Sequence, residues 1–196
     1  MIEVMRQNHV AQVARIHHDA LPADFLPSLG LPFLEKVFFR AALTSEYGKT
    51  FVYTDKDKVA GFITIAHDSP AFIRNIFLSN LPQIVWTFLT KVLLNVALLV
   101  ESLSLLSSLR DAGEKTTKSE IVLIAVDKEY RGKGIGSELI KEAMSYIRTR
   151  GYTCCRVKTL AQNTDAIAVY RKNGFETRRT LTLAGKKYLI MVNEGN

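Results

Sequence analysis

The chain has 196 residues and a mass of 22.0 kDa, which suits one domain with a sizeable core. Apolar residues make up 47% and charged residues 23%, and these proportions exclude a disordered or collagen-like polymer. The net charge is +7, and the whole excess lies in residues 113–196, which hold 16 Lys and Arg against 9 Asp and Glu. A basic half suits an anionic partner such as a phosphate-bearing cofactor, a nucleic acid or an acidic membrane surface, and a lysine-rich solvated surface gives the same pattern.

The cysteines and the first residues indicate the compartment. Cys154 and Cys155 are adjacent and are the only cysteines, so no disulfide framework is predicted. This usage is typical of a reducing environment. The first ten residues lack the basic start and apolar run of a signal peptide. We therefore expect a cytoplasmic protein.

The first half of the chain predicts a strand, two helices and a hairpin. Residues 2–5 alternate weakly as a short strand, and Asn8 is a plausible N-cap for an apolar stripe at helical spacing over 10–16. Residues 21–32 contain three prolines and a glycine, which predicts a loop or broken helix. A second amphipathic helix follows over 33–41, and two β-rich runs flank the charged turn 55–57.

The second half predicts a regular alternation of strands and helices. The near-continuous apolar run 120–126 indicates a strand buried on both faces. A helix over 134–149, a strand over 152–160 and a short helix over 164–172 follow, each with the matching apolar period. A final hairpin joins 175–183 to 187–192 through Ala184-Gly185.

Residues 75–118 interrupt this alternation as a predicted helical insertion. The stretch 84–109 is strongly apolar, but Lys91, Asn95 and Glu101 break it, so it lacks the ~20 uninterrupted residues of a membrane span. At 100° per residue its polar side chains fall on one narrow face. We therefore predict one or two amphipathic helices that cover a cleft, with a homodimer contact as the second choice and a membrane surface as the least favoured.

The most informative stretch joins the apolar strand to the helix after it. Arg131-Gly132-Lys133-Gly134-Ile135-Gly136 forms a turn with three glycines and two cations, and Ser137 follows in the helix. A helix start offers unpaired N–H groups and a positive dipole end, and glycines let a backbone approach a pyrophosphate. The spacing matches neither G-x-G-x-x-G nor GxxxxGK[ST].

This turn resembles the pyrophosphate signature [Q/R]-x-x-G-x-[G/A] of the GCN5-related N-acetyltransferase (GNAT) superfamily. A second element, Asn163 to Phe175, is similar to the family's N-x-x-A-x-x-x-Y-x-x-x-G-F. The resemblance covers about residues 119–193. It implies a single α/β (α+β) domain over 1–196, with a mixed, mostly antiparallel twisted sheet that splays between strands 4 and 5 and is flanked by helices.

The resemblance also implies acetyl-CoA as the acetyl donor, no metal, and a set of site residues. The backbone of the fourth strand would pair with pantetheine, the turn would hold the pyrophosphate, Asn163 would touch the pantetheine, and Tyr170 would lie near the sulfur as general acid. The implied donor-binding residues are Ile124, Ala125, Val126, Arg131, Gly132, Lys133, Gly134, Ile135, Gly136, Ser137, Asn163 and Tyr170.

The general base stays open between several groups. Glu120 opens the buried strand 11 residues before Arg131, which resembles the glutamate-bearing strand of the family's histone acetyltransferases. A carboxylate there can take the amine's proton directly or through water, and an exposed structural glutamate is the equal alternative. The family's ribosomal-protein acetylases place their base five residues before the motif asparagine, where this chain has Lys158. His17, His18 and His67 are further candidates.

The predicted function is transfer of an acetyl group from acetyl-CoA to a primary amine by direct attack in a ternary complex. The acceptor is a small molecule or a peptide, with specificity set by residues 17–35 and the insertion. A non-catalytic acyl-CoA-binding module is the alternative. A nucleic-acid partner is not predicted, because no basic motif interleaved with aromatics occurs.

Overall fold

The computed structural model describes residues 1–21, 24–93, 95 and 118–195. Its strands form one seven-stranded sheet in the order β1-β2-β3-β4-β5-β7-β6, antiparallel except for the β4–β5 pair. This confirms the predicted mixed, mostly antiparallel sheet. The strands are β1 (Ile2–Val4), β2 (Gly48–Asp55), β3 (Lys58–Ala66), β4 (Glu120–Val126), β5 (Cys155–Leu160), β6 (Glu176–Leu183) and β7 (Lys186–Asn193).

Helices pack on both faces of this sheet. Short 3-10 turns lie at Gln7–His9 and Lys128–Tyr130, and π-helical stretches at Leu34–Phe38 and Phe88–Val92. The α-helices are α1 (Val10–Ala20), α2 (Phe25–Ser28), α3 (Leu31–Phe33), α4 (Phe39–Thr44), α5 (Ser69–Ser79), α6 (Leu81–Thr87), α7 (Ile135–Thr149) and α8 (Thr164–Lys172). The proline-rich stretch is therefore a broken helix, as its composition predicts.

Both predicted hairpins are present and close through left-handed turns. Lys56 and Asp57 have φ of 46° and 63°, and Ala184 and Gly185 have φ of 48° and 76°. Two central residues with positive φ match the right-handed twist of the flanking strands.

The sheet divides the core into two apolar clusters. On one face, α1, α4 and α5 pack with β3 through Phe39, Phe62 and Phe72, all fully buried. On the other face, α7 and α8 pack through Leu139 and Ile147. Strand β3 is buried along almost its whole length because it contributes to both clusters.

The β4–β5 pair opens after two residue pairs. Glu120 pairs with Arg156 and Ile121 with Val157, and no further pair forms between these strands. A bulge at Val122, between the β3 partners of Ile121 and Leu123, bends β4 at the same point. This confirms the predicted splay between strands 4 and 5. We call the gap between 122–126 and 158–160 the cleft.

The described part of the insertion is helical, as predicted. Helix α5 is anchored by Phe72 and Ile76, whereas the following side chains up to residue 93 include a run of exposed apolar groups. These are Phe77, Leu78, Leu81, Val85, Trp86, Phe88, Leu89 and Leu93. None of the described helices is long and apolar enough to cross a bilayer. The remainder of the predicted 84–109 segment lies outside the described residues, apart from Asn95.

Candidate active site

The cleft exposes one edge of β4 along its second half. Ile124, Ala125 and Val126 pair with Ile63, Phe62 and Gly61 of β3 on their other side. On the cleft side β5 forms no pair with these residues, and of their backbone groups the Val126 carbonyl accepts from the Arg131 side chain. An extended ligand can add to such an edge as a further strand does. The structure thus places the three predicted backbone sites along one wall of the cleft.

The glycine turn lies at the mouth of the cleft, where β4 ends and α7 begins. Gly134 is the residue before α7 and has φ +81°, and no side chain caps the helix. The Gly134 carbonyl accepts from the N–H groups of Ser137 and Glu138 at 3.0 and 3.2 Å. The N–H groups of Ile135 and Gly136 come before the first intrahelical donors, and therefore point out of the helix start toward a ligand.

The three glycines have different roles. Gly132 and Gly134 have φ of +77° and +81°, which disfavours any residue with a Cβ. Among the described residues, a Cβ built on either would meet no atom within 4 Å, so they leave the space over the turn open. Gly136 has ordinary φ, and a Cβ there would lie 3.7 Å from Val169 Cγ1 in α8. The turn is therefore a cradle that fits a pyrophosphate, and Gly136 serves the packing of α7 on α8.

Two cations and one hydroxyl complete the turn. Arg131 is exposed, and its Nε donates to the Val126 carbonyl at 3.2 Å. Lys133 is also exposed, with Nζ 4.8 Å from the centre of the Tyr130 ring. The Ser137 Oγ accepts from the Asn173 side chain at 3.0 Å. That hydrogen bond joins α7 to α8 beneath the turn.

Asn163 and Tyr170 lie at the two ends of helix α8. The Asn163 side chain caps the helix by accepting from the Ala166 N–H at 3.2 Å. Tyr170 is 4% exposed, and its ring lies 5.7 Å from that of Phe175. Burial raises the pKa of the Tyr170 phenol above its usual range, and nearby Cys155 raises it further.

Glu120 lies at the closed end of the cleft and is held by two other elements. Its Oε2 accepts from Arg156 Nη2 and Nε at 2.9 and 3.2 Å, and from Ser69 Oγ at 2.6 Å. Ser69 opens α5, so this carboxylate joins the start of that helix to the two strands that separate. The ion pair is mostly shielded, with side-chain exposures of 21% and 18%.

The candidate histidines lie elsewhere. His17 is 1% exposed between the rings of Phe39 and Phe62, and burial with the charge of His18 lowers its pKa to about 4. His18 is an exposed neighbour of Asp19. His67 contacts the Tyr146 hydroxyl at 3.3 Å beside α7. Since His17 belongs to the core, it cannot meet an acceptor directly.

Arg156 is a part of the site that sequence reasoning missed. It alternates with the buried residues Cys155 and Val157, and this period of two places Arg156 and Lys158 on one face of β5. The alternation along β5 was visible in the sequence, but Glu120, the partner of Arg156, lies 36 residues away in the chain. The contact therefore required the fold.

The comparisons with known proteins agree with this architecture. A model of the Acetyltransferase (GNAT) family matches residues 11–175, which is most of the chain. A solved N-acetyltransferase from Staphylococcus aureus Mu50 has a TM-score of 0.67 at 18% identity, covering 100% of this chain and 98% of the other. At that identity the likeness shows the fold.

Curated relatives match over shorter stretches. An uncharacterised N-acetyltransferase of Methanocaldococcus jannaschii is 37% identical over 79 residues, which are 40% of this chain and 33% of that protein. The mycothiol acetyltransferase of Saccharomonospora viridis is 38% identical over 61 residues, which are 31% of this chain and 20% of that protein. The match thus spans a third or less of each relative's length.

Proposed function

The chain belongs to the acetyltransferase (GNAT) family, and we propose that it transfers an acetyl group from acetyl-CoA to a primary amine. The observation that carries the proposal is the cleft, which opens after two β4–β5 pairs with a glycine cradle at its mouth. A strand edge beside a phosphate cradle suits a ligand that has a linear amide arm and a pyrophosphate. Acetyl-CoA has both.

The donor is held mainly by backbone groups. The edge of residues 124–126 pairs with the pantetheine amides, and the N–H groups at the start of α7 bind the pyrophosphate. Arg131 and Lys133 supply positive charge from exposed positions and add charge-assisted contacts. The amide of Asn163 contacts the pantetheine while its oxygen caps α8.

The chemistry needs a neutral amine, a stabilised oxyanion and a proton for the departing thiolate. The amine attacks the thioester carbonyl, and the carbon–sulfur bond breaks as the amide forms. Tyr170 donates its proton to the departing thiolate; the phenol is protonated at neutral pH, and its burial disfavours the charged form. Glu120 takes the proton of the amine, directly or through water, at the closed end of the cleft. No metal takes part.

The acceptor side is bordered by the broken helices and the insertion. Lys91 of the insertion donates to the Leu29 carbonyl at 2.8 Å, which fixes the insertion beside the loop before α3. This supports the assignment of acceptor specificity to residues 17–35 and to the insertion. The acceptor is a small molecule or a peptide, and the protein acts in the cytoplasm. Its exposed apolar face between residues 77 and 93 suits a homodimer contact as well as a cover.

The test is a screen for CoA release with acetyl-CoA and a library of primary amines, followed by mass spectrometry of the products. We expect turnover with a subset of amines and a mass gain of one acetyl group. Calorimetry with acetyl-CoA runs beside it. Tight acetyl-CoA binding without CoA release from any amine would instead establish the alternative, a non-catalytic acyl-CoA-binding module.

A further inference from the structure

Lys158 lies where strands β4 and β5 of the sheet separate. It is the first residue of β5 after the last pair with β4, so it stands where the two strands begin to separate. On its other side it pairs with Ile190 of β7. Because Lys158 and Arg156 are two residues apart on one strand, both side chains emerge on the same face, the one on which Arg156 meets Glu120.

The environment of the Lys158 ammonium is unusual. The side chain is half-buried, and its Nζ lies 5.7 Å from the centre of the Tyr188 ring. Within the described residues no carboxylate lies at ion-pair distance from Nζ. Glu120, the carboxylate at the closed end of the cleft, is already engaged by Arg156 and Ser69.

Burial and the charge of Arg156 lower the pKa of Lys158, although Glu120 and Asp24 act in the opposite direction. Among the described residues, the ammonium is thus shielded from water without a paired carboxylate. A charge in such a position is stabilised when an anion binds it. The ring of Tyr188 gives the cation a fixed, partly apolar support, which suits recognition rather than a flexible surface contact.

We propose that Lys158 is a specificity-determining residue that binds an anionic group, a carboxylate or a phosphate, carried by the acceptor close to its amine. This inference rests on the proposed function, because it places the acceptor at the closed end of the cleft beside Glu120. The cation selects acidic amines and orients them with the amine toward the thioester. It also disfavours a second positive charge nearby, which helps the incoming amine to stay neutral.

The experiment uses matched acceptors that differ only in the anionic group: L-amino acids with their amides, and ethanolamine with phosphoethanolamine. We expect the full-length enzyme to prefer the anionic member of at least one pair by about tenfold or more in kcat/KM, which is ~1.4 kcal/mol of selective binding. The amino-acid and phosphate arms distinguish a carboxylate from a phosphate.

Variants then assign the preference to the side chain. Lys158→Met is expected to raise KM for the preferred acceptor about tenfold and to leave the neutral partner within about twofold. Lys158→Arg keeps the charge and cannot act as a base near neutral pH, so it should retain the preference. Lys187→Met removes the same charge from an exposed position of β7 and is the matched control.

Three results would overturn the inference. Equal use of neutral and anionic acceptors by the unaltered enzyme would remove the anion site while leaving the acetyltransferase function intact. A Lys158→Arg enzyme with a collapsed kcat and an unchanged KM would make Lys158 a proton acceptor instead. Absence of CoA release with every amine would remove the proposed function and this inference with it.

Discussion

The buried imidazole of His17 predicts how the stability of the protein depends on pH. His17 lies 1% exposed between Phe39 and Phe62, and neither ring nitrogen has a hydrogen-bond partner in the part of the chain that the structure describes. Burial, with a smaller effect of His18, lowers its pKa from 6.5 to about 4. The folded protein therefore holds His17 neutral where an unfolded chain would protonate it.

The sign and the size of the effect follow from this difference. Between pH 6.5 and about 4 the unfolded chain binds a proton at residue 17 that the folded chain does not, so the free energy of unfolding falls as the pH falls through this window. At ~1.36 kcal/mol for each pKa unit, the full loss is about 3 kcal/mol. Above pH 6.5 the contribution is constant, because both states are neutral there.

The assay is urea unfolding at several pH values from 7.5 to 4, for the wild type and for His17→Leu. Leucine has a similar size and no titratable group, so the variant should lose less stability on acidification, by about 3 kcal/mol at the lower end. His18→Asn is the matched control, because it removes an exposed imidazole next in sequence and should keep most of the wild-type slope. Parallel curves for the wild type and His17→Leu would refute the reasoning.

Three further predictions concern the donor site and the chemistry. Gly134→Ala and its control Gly151→Ala each introduce a Cβ, at φ of +81° and +80°, so each should cost about 1 kcal/mol of stability. Calorimetry should show at least a roughly tenfold loss of acetyl-CoA affinity for Gly134→Ala and no such loss for Gly151→Ala. Equal affinities of the two variants would mean that the pyrophosphate binds elsewhere. Tyr170→Phe should lower kcat by roughly 10²–10⁴-fold with little change in acetyl-CoA affinity, and near-wild-type turnover in single-turnover kinetics would leave it a packing residue. Glu120→Gln should flatten the rise of kcat/KM with pH, and an unchanged profile would assign the proton to water or to the neutral fraction of the substrate.

The local structure of the proposed donor side could be predicted because its determinants are local in sequence. The strand, the glycine turn and the helix start are contiguous from 120 to 137, and the glycines at 132 and 134 have the positive φ that their positions require. The residues of a contiguous motif are positioned by their immediate neighbours, so the motif by itself predicts the local backbone geometry. Asn163 shows the limit of such a motif: the structure uses its oxygen as an N-cap, a role that the same local pattern also permits.

The contacts of Glu120 could not be predicted, because they join distant parts of the chain. Its partners Ser69 and Arg156 lie 51 and 36 residues away, and only the sheet order brings them together. The bulge at Val122 likewise depends on pairing with β3. No period of apolar residues specifies such a bulge, because it is a mismatch between two strands rather than a property of one.

The position of His17 in the sequence predicts its burial, whereas its side-chain chemistry suggests a catalytic role. Residues 10, 13, 14 and 17 follow the spacing of one helix face, so the position belongs to the apolar stripe of α1. Val10, Val13 and Ala14 are buried in the structure, and His17 is buried with them. The position of His17 in the apolar stripe therefore determines its burial. The buried imidazole contributes to the pH dependence of stability rather than to proton transfer.

Helical periodicity predicts which face of a helix is polar, but it does not predict what that face contacts. Lys91 is an example. The spacing predicts Lys91 on the narrow polar side of the insertion, and in the structure its Nζ donates to the Leu29 carbonyl at 2.8 Å. A Cβ at Gly30 would approach that same Nζ to 2.9 Å, and a shift of the flexible lysine end relieves this contact, so it is the φ of +94° that favours glycine at this point of the loop. Every residue has a carbonyl, so the sequence does not show which one accepts the hydrogen bond of Lys91. Within the described residues, this backbone contact joins the two segments that we assign to acceptor specificity.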